Sequence, residues 1–404
     1  MKSDNIHTSS SHRVDLSEGD SNLSPHRQRW AHRAIDEDTA GWLARDAAVF
    51  IHQTLSTPCL NVLSGCPGSR IEDLQGRRYY DFHGNSVHQV GFAHPAVIAA
   101  IKDQLDELCF CTRRYTNRTA IRLAEKLAEI TPDPLGKVLF APGGATAVGM
   151  AVKLARTATG RFKTISMWDA FHGASLDVMS LSGETMFRRD VGPLLTGAQH
   201  VPPAEPYRCL WDSSGNCDAC GLKCAAYIDY VLEKEGDVGA VIAEPVRNTA
   251  VNPPPPGYWK AVRQACDRHG ALLVLDETAV CLGRTGAMFA CQAFDVVPDI
   301  LTIGKGLGGG VVPFAAMIAR SDLDTAPEKG LGHYTHEKNP VAAAAGLAVI
   351  SIIESEHLAQ QAAAMGSHAL ARLRAMQADH PLIGDVRGVG LMVGIELVTD
   401  RETK

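Results

Sequence analysis

Lys305 stands in Asp299-Ile-Leu-Thr-Ile-Gly-Lys-Gly-Leu-Gly-Gly-Gly310, where an apolar run hands one amine to backbone almost free of side chains. The run reads as a short buried strand bounded by glycine. A cationic amine in such surroundings costs free energy unless it is neutralised or used covalently. A Schiff base with an aldehyde is the economical use, and a surface lysine in a glycine loop is the alternative on this segment alone. Upstream, Ala271-Leu-Leu-Val-Leu275 has the character of a central parallel strand and stops at Asp276-Glu277. Ligands of open α/β sheets gather at the carboxyl ends of strands, so Asp276 stands where a cofactor would be met. A buried carboxylate there can keep a pyridinium nitrogen protonated and turn the ring into an electron sink; it could equally cap the following turn. Taken together, Lys305 and Asp276 point to pyridoxal phosphate.

The elements that must position these two residues follow the same rhythm. Strands are expected over 137–140, 164–168 and 238–243, and a helix over 147–158. The strands run toward Gly143-Gly144, Phe171 and Glu244-Pro245, respectively. This alternation predicts an α/β fold with a mostly parallel sheet wrapped by helices. Gly143-Gly144-Ala145-Thr146 lies between strand and helix, where free N–H groups can bind a phosphate, although any such turn favours glycine. Phe171 is either a ring-stacking face or a core aromatic. Glu244 precedes a proline that fixes the turn, and it either orients a substrate-side group or forms a structural ion pair.

Composition narrows the functional classes. A chain of 404 residues, 45% hydrophobic, can bury a large core and exceeds one typical compact unit. A net charge of −6 without a basic block argues against a nucleic-acid surface. Eleven cysteines fit a reducing, cytoplasmic setting better than a disulfide framework. No apolar run reaches the roughly eighteen residues of a membrane span, so no membrane partner is expected. Residues 1–28 are polar and read as a loosely docked leader. Cys209, Cys217, Cys220 and Cys224 contain one C-x2-C pair, half of a zinc site, and reduced thiols in a loop are the expected reading. No metal is assigned.

Leu273-Val-Leu-Asp-Glu-Thr-Ala-Val-Cys-Leu-Gly-Arg-Thr-Gly286, followed by Pro298-Asp-Ile-Leu-Thr-Ile-Gly-Lys-Gly306, resembles the signature of class-III pyridoxal-phosphate aminotransferases. Asp73-Leu-Gln-Gly-Arg-Arg-Tyr-Tyr-Asp-Phe82, Val90-Gly-Phe-Ala-His-Pro95, Ala141-Pro-Gly-Gly-Ala-Thr-Ala147, Phe171-His-Gly173 and Glu244-Pro245 follow in family order. The resemblance implies fold type I: a large cofactor domain over 71–337 and a small α+β domain built from 29–70 and 338–404. Relatives continue beyond residue 404, so the small domain is expected to be incomplete. It also implies that Lys305 and Asp276 are catalytic. Gly144, Ala145, Phe171, His172, Glu244, Thr278 and Thr335 would complete the cofactor site. Thr335 would reach in from a neighbouring subunit, which implies a homodimer with shared sites. The pattern departs from the family at Ala145, where serine is usual, and at Thr146 and Gly149, where acidic residues are usual. At Ala279 a glutamine usually bonds the cofactor's ring oxygen.

Three functions are compatible with this pattern. By default the enzyme transfers an amino group from a small amine or amino acid to an oxo acid. Asp81-Phe-His-Gly-Asn-Ser-Val-His-Gln89 and Gly332-His-Tyr-Thr-His-Glu-Lys-Asn339 are instead similar to an ammonia-lyase branch of phosphonate catabolism. That branch eliminates ammonia from (R)-1-hydroxy-2-aminoethylphosphonate to give phosphonoacetaldehyde. A silent, cofactor-binding regulatory protein is the third reading, and the intact Lys305 and Asp276 disfavour it.

Overall fold

The computed structural model describes residues 24–51, 53, 59–212 and 215–404. The leader expected over 1–28 lies outside the described residues up to residue 23; Pro25 then opens a helix, Pro25–Ala34. Contacts divide the chain into two units. Among the described residues, one is formed by those up to Gly65 together with Ile71–Tyr79, the other by Cys66–Arg70 with Tyr80–Lys404. Strands β1 (Leu63–Gly65), β2 (Arg70–Asp73) and β3 (Arg78–Tyr80) make a three-stranded sheet.

The second unit carries a seven-stranded sheet. Its strands are β4 (Leu135–Ala141), β5 (Lys163–Met167), β6 (Ala198–Val201), β7 (Val238–Ala243), β8 (Leu272–Asp276), β9 (Ile300–Ile303) and β10 (Ala315–Arg320). The spatial order is β4-β10-β9-β8-β7-β5-β6. The pairs β9/β8, β8/β7, β7/β5 and β5/β6 are parallel, and β10 runs antiparallel to both of its neighbours. The α/β expectation holds, and the antiparallel β10 is the detail that periodicity did not carry. A final hairpin joins β11 (Ile383–Val389) to β12 (Met392–Leu397).

Strands β7, β8 and β9 are buried along their whole length because both faces of the sheet are covered. Ala240, Ile242, Val274 and Ile300 pack with the helix Gly144–Thr159 on one face. Val241, Leu273, Leu275 and Leu301 meet the helices Lys223–Glu235, Tyr258–His269 and Pro340–Ser355 on the other. Among the described residues no single helix is long and apolar enough to cross a membrane. The apolar helix Pro340–Ser355 owes its composition to the core, where Ala343, Ala345, Val349 and Ile350 are fully buried.

Because β5, β7, β8 and β9 are parallel, their carboxyl ends share one edge, and β4 points the same way. Asp299 fixes the opposite edge. Its carboxylate accepts from the Leu273 N–H and Arg263 Nη1, both at 2.7 Å, and from Arg320 Nη1 at 2.5 Å. It therefore ties β8, β10 and the helix Tyr258–His269 to the start of β9. Asp299→Ala would remove the buried carboxylate that Arg263 and Arg320 share, leaving each with one exposed partner, Asp267 and Asp322 respectively. We expect a loss of roughly 1–3 kcal/mol, read as a lowered urea midpoint.

Candidate active site

Lys305 follows β9 after a single glycine, Gly304, and sits in the left-handed region, with φ 46°, a conformation unusual outside glycine. It is half-buried. Thr278 explains why glycine must stand nearby. A Cβ on Gly144 would lie 2.6 Å from the Thr278 methyl, and one on Gly304 would lie 3.0 Å from it. The threonine thus wedges the start of the helix Gly144–Thr159 against the turn that carries Lys305. That helix begins at Gly143 with no side-chain cap, which leaves its first N–H groups available to an anion. The Thr146 hydroxyl is not among the donors facing out, because it bonds back to the Gly143 carbonyl at 2.6 Å.

Asp276 ends β8 and is 5% exposed. Its Oδ2 accepts from His172 Nδ1 at 2.9 Å. Its Oδ1 accepts from the Thr278 hydroxyl at 2.6 Å, the Thr278 N–H at 3.1 Å and the Thr302 hydroxyl at 3.0 Å. Burial alone would raise the carboxyl, but the hydrogen bond and charge of His172, with the Thr278 bonds, outweigh it and hold Asp276 below the usual carboxylate range. Burial would likewise lower His172, yet Asp276 outweighs it and keeps the imidazole protonated above its ordinary value. Glu277, one residue on, turns into the core. There burial pushes it up to about 7 even though it accepts from the N–H groups of Ala290 and Cys291.

Glu244 serves a different purpose. Its Oε1 accepts from the Phe171 N–H at 3.1 Å and its Oε2 from the Asn248 N–H at 2.9 Å, so it braces two loops at the sheet edge. Burial raises its carboxyl. Phe171 lies against Phe187, with ring centroids 4.6 Å apart, which fixes the plane of its face.

Gly144, Ala145, Phe171, His172, Glu244, Asp276, Thr278 and Lys305 converge on one cavity of about 160 Å³. Thr335 does not line it; it is exposed in a loop held by Glu337, which accepts from the N–H groups of His333 and Tyr334. Sequence reasoning missed Asn248 and Thr249, which line the same cavity. The signal was the polar cluster Arg247-Asn248-Thr249, one residue after Glu244-Pro245. All eleven cysteines are free thiols. Among the described residues no group of three or more His, Cys, Asp or Glu side chains could hold a metal ion.

An amine, an ionised carboxylate, an aromatic face and an uncapped helix start, gathered at the carboxyl edge of a largely parallel sheet, define a pyridoxal-phosphate enzyme of fold type I. The chain belongs to the class-III aminotransferase family, which matches residues 53–404. It is similar to the (R)-1-hydroxy-2-aminoethylphosphonate ammonia-lyase of Vibrio splendidus (strain 12B01), at 48% identity over 400 residues, covering 96% of this chain and 84% of the relative. A leucine/methionine racemase of Thermococcus litoralis is 39% identical over 83% of this chain and 76% of its own length. A Bacillus anthracis aminotransferase structure aligns with a TM-score of 0.84 at 32% identity, covering 92% of this chain and 86% of that one. A pyridoxal-phosphate-bound amine transaminase from an uncultivated Pseudomonas species aligns with a TM-score of 0.81 at 32% identity, covering 88% and 85%.

The coupling of His172 to Asp276 has a pH signature. A depressed Asp276 contributes stability above about pH 4, lost as pH falls through its folded value. A raised His172 contributes below about pH 6.5, lost as pH rises through its folded value. The urea midpoint of cofactor-free protein should therefore exceed that of His172→Phe most between about pH 4 and 6.5. A gap that does not vary with pH would contradict the pairing.

Proposed function

We propose that this enzyme eliminates ammonia from (R)-1-hydroxy-2-aminoethylphosphonate, giving phosphonoacetaldehyde. The observation that carries this reading is the cavity that Lys305 and Asp276 share with Ala279. A methyl there cannot make the ring-oxygen bond expected of the glutamine in amino-transferring relatives. The 48% identity to the Vibrio ammonia-lyase over nearly the whole chain supports the same reading.

Pyridoxal phosphate, when bound, supplies an electron sink that makes a proton on the amine-bearing carbon acidic. Lys305 Nζ would hold the cofactor covalently until the substrate amine displaces it, and the freed lysine amine would then take this proton. Asp276 would keep the ring nitrogen protonated, with His172 keeping Asp276 ionised. The N–H groups of Gly144 and Ala145 would bind the phosphate, and Phe171 would cover a ring face. Thr278 fixes the spacing between the phosphate end and the lysine. Loss of the proton drives out the hydroxyl on the neighbouring carbon, which leaves as water. The enamine that is set free takes up one water, yielding ammonia and phosphonoacetaldehyde, so the atoms balance.

In solution the enzyme should release ammonia continuously from this substrate with no oxo acid present. Lys305→Ala should lower the rate by about 100-fold or more. Borohydride should fix the cofactor on the peptide containing residue 305. Strict dependence on an oxo-acid acceptor would show amino transfer instead.

The same reading includes a homodimer in which Thr335 completes the neighbour's phosphate site, and a cytoplasmic setting consistent with eleven free thiols. Mixing Lys305→Ala with Thr335→Ala protein should then recover activity above that of Lys305→Ala alone by forming one intact site. A fully active monomer in sedimentation would defeat this arrangement.

A further inference from the structure

The loop after β7 is built more rigidly than a connector requires. It closes on itself through the Asn252 N–H to the Arg247 carbonyl at 3.2 Å and the Val251 N–H to the Asn248 carbonyl at 3.4 Å. Glu244 grips it from the sheet side at the Asn248 N–H. Arg387 of β11 grips it from the other side, donating to the Ala250 carbonyl at 2.9 Å and the Val251 carbonyl at 3.0 Å. Asp385 and Glu396 hold that guanidinium in turn, at 2.9 and 2.7 Å. Val251 is forced to φ 48°, an outlier for a β-branched residue, and such strain persists only where the surroundings over-determine it.

The braced tip presents Asn248 and Thr249 to the cavity of Lys305 and Asp276. The Thr249 Oγ1 atom is buried and has no hydrogen-bond partner among the described residues. A buried hydroxyl without a partner is costly, and it can both donate and accept. A phosphonate oxygen is less suited to this place, because the loop's own cation, Arg247, lines the neighbouring pocket beside Asp169 and Glu205, and Lys305 is engaged with the cofactor in the proposed reaction. A neutral hydroxyl does suit it.

We infer that Thr249 is a specificity-determining residue whose hydroxyl bonds the substrate's hydroxyl on the carbon next to the amine-bearing carbon. The inference rests on the proposed substrate class. It assigns to Thr249 the distinction between a vicinal amino-alcohol and the corresponding plain amine. Arg387 and Glu244 are positioning residues that hold the loop.

The test compares binding of 1-hydroxy-2-aminoethylphosphonate with that of 2-aminoethylphosphonate, which lacks only the hydroxyl, by titrating the absorbance of the holoenzyme. Wild-type protein should prefer the hydroxylated ligand. Thr249→Val, nearly isosteric, should erase about 10- to 100-fold of that preference, and Thr249→Ser should retain most of it. Equal weakening of both ligands by Thr249→Val, or weakened cofactor binding with the preference intact, would overturn the assignment. If wild-type protein shows the preference but releases no ammonia, the lyase reading fails while the role of Thr249 stands.

Discussion

A buried carboxylate that must stay charged is the constraint on which this structure turns. Asp276 is nearly inaccessible to water, and an isolated anion there would take up a proton. Four hydrogen bonds prevent this, from His172, twice from Thr278, and from Thr302. Those donors come from the loop after β5, from the turn after β8 and from β9. Keeping the charge therefore requires that the three strand ends be in register. The parallel order β9-β8-β7-β5 supplies that register, and Asp299 locks it at the far edge.

The same residues couple the charge to the rest of the site. Thr278 donates to Asp276 while its methyl fills the space that Gly144 and Gly304 leave open. The anion, the helix start and the lysine turn thus meet at one side chain. Glu244 makes the corresponding link between Phe171 and the loop of Thr249. The left-handed backbone at Lys305 and at Val251 marks the two places where local preference yields to the geometry of the cavity.

Much of this was legible in the residues. Strands β7, β8 and β9 announce themselves as continuous apolar runs, and each ends at or just before a polar residue of the cavity. Lys305, Asp276 and the glycines around them are local signals, readable without tertiary contacts. What was hidden is non-local. The bond from His172 to Asp276 spans 104 positions, and no spacing rule reports it. The Arg387 clamp on Ala250 and Val251 crosses from the last hairpin to a loop more than a hundred positions earlier. The antiparallel β10 was invisible for a related reason: its apolar run is as continuous as those of its neighbours, and only pairing fixes its direction.

In the proposed reaction a proton leaves the amine-bearing carbon and a hydroxyl leaves its neighbour. Substrate carrying a heavy oxygen isotope in its hydroxyl tests this directly, by mass spectrometry of the organophosphonate product. The account predicts phosphonoacetaldehyde with no oxygen left on the phosphonate-bearing carbon and the isotope recovered in water. A product that keeps the labelled hydroxyl on that carbon, with an aldehyde beside it, would contradict it.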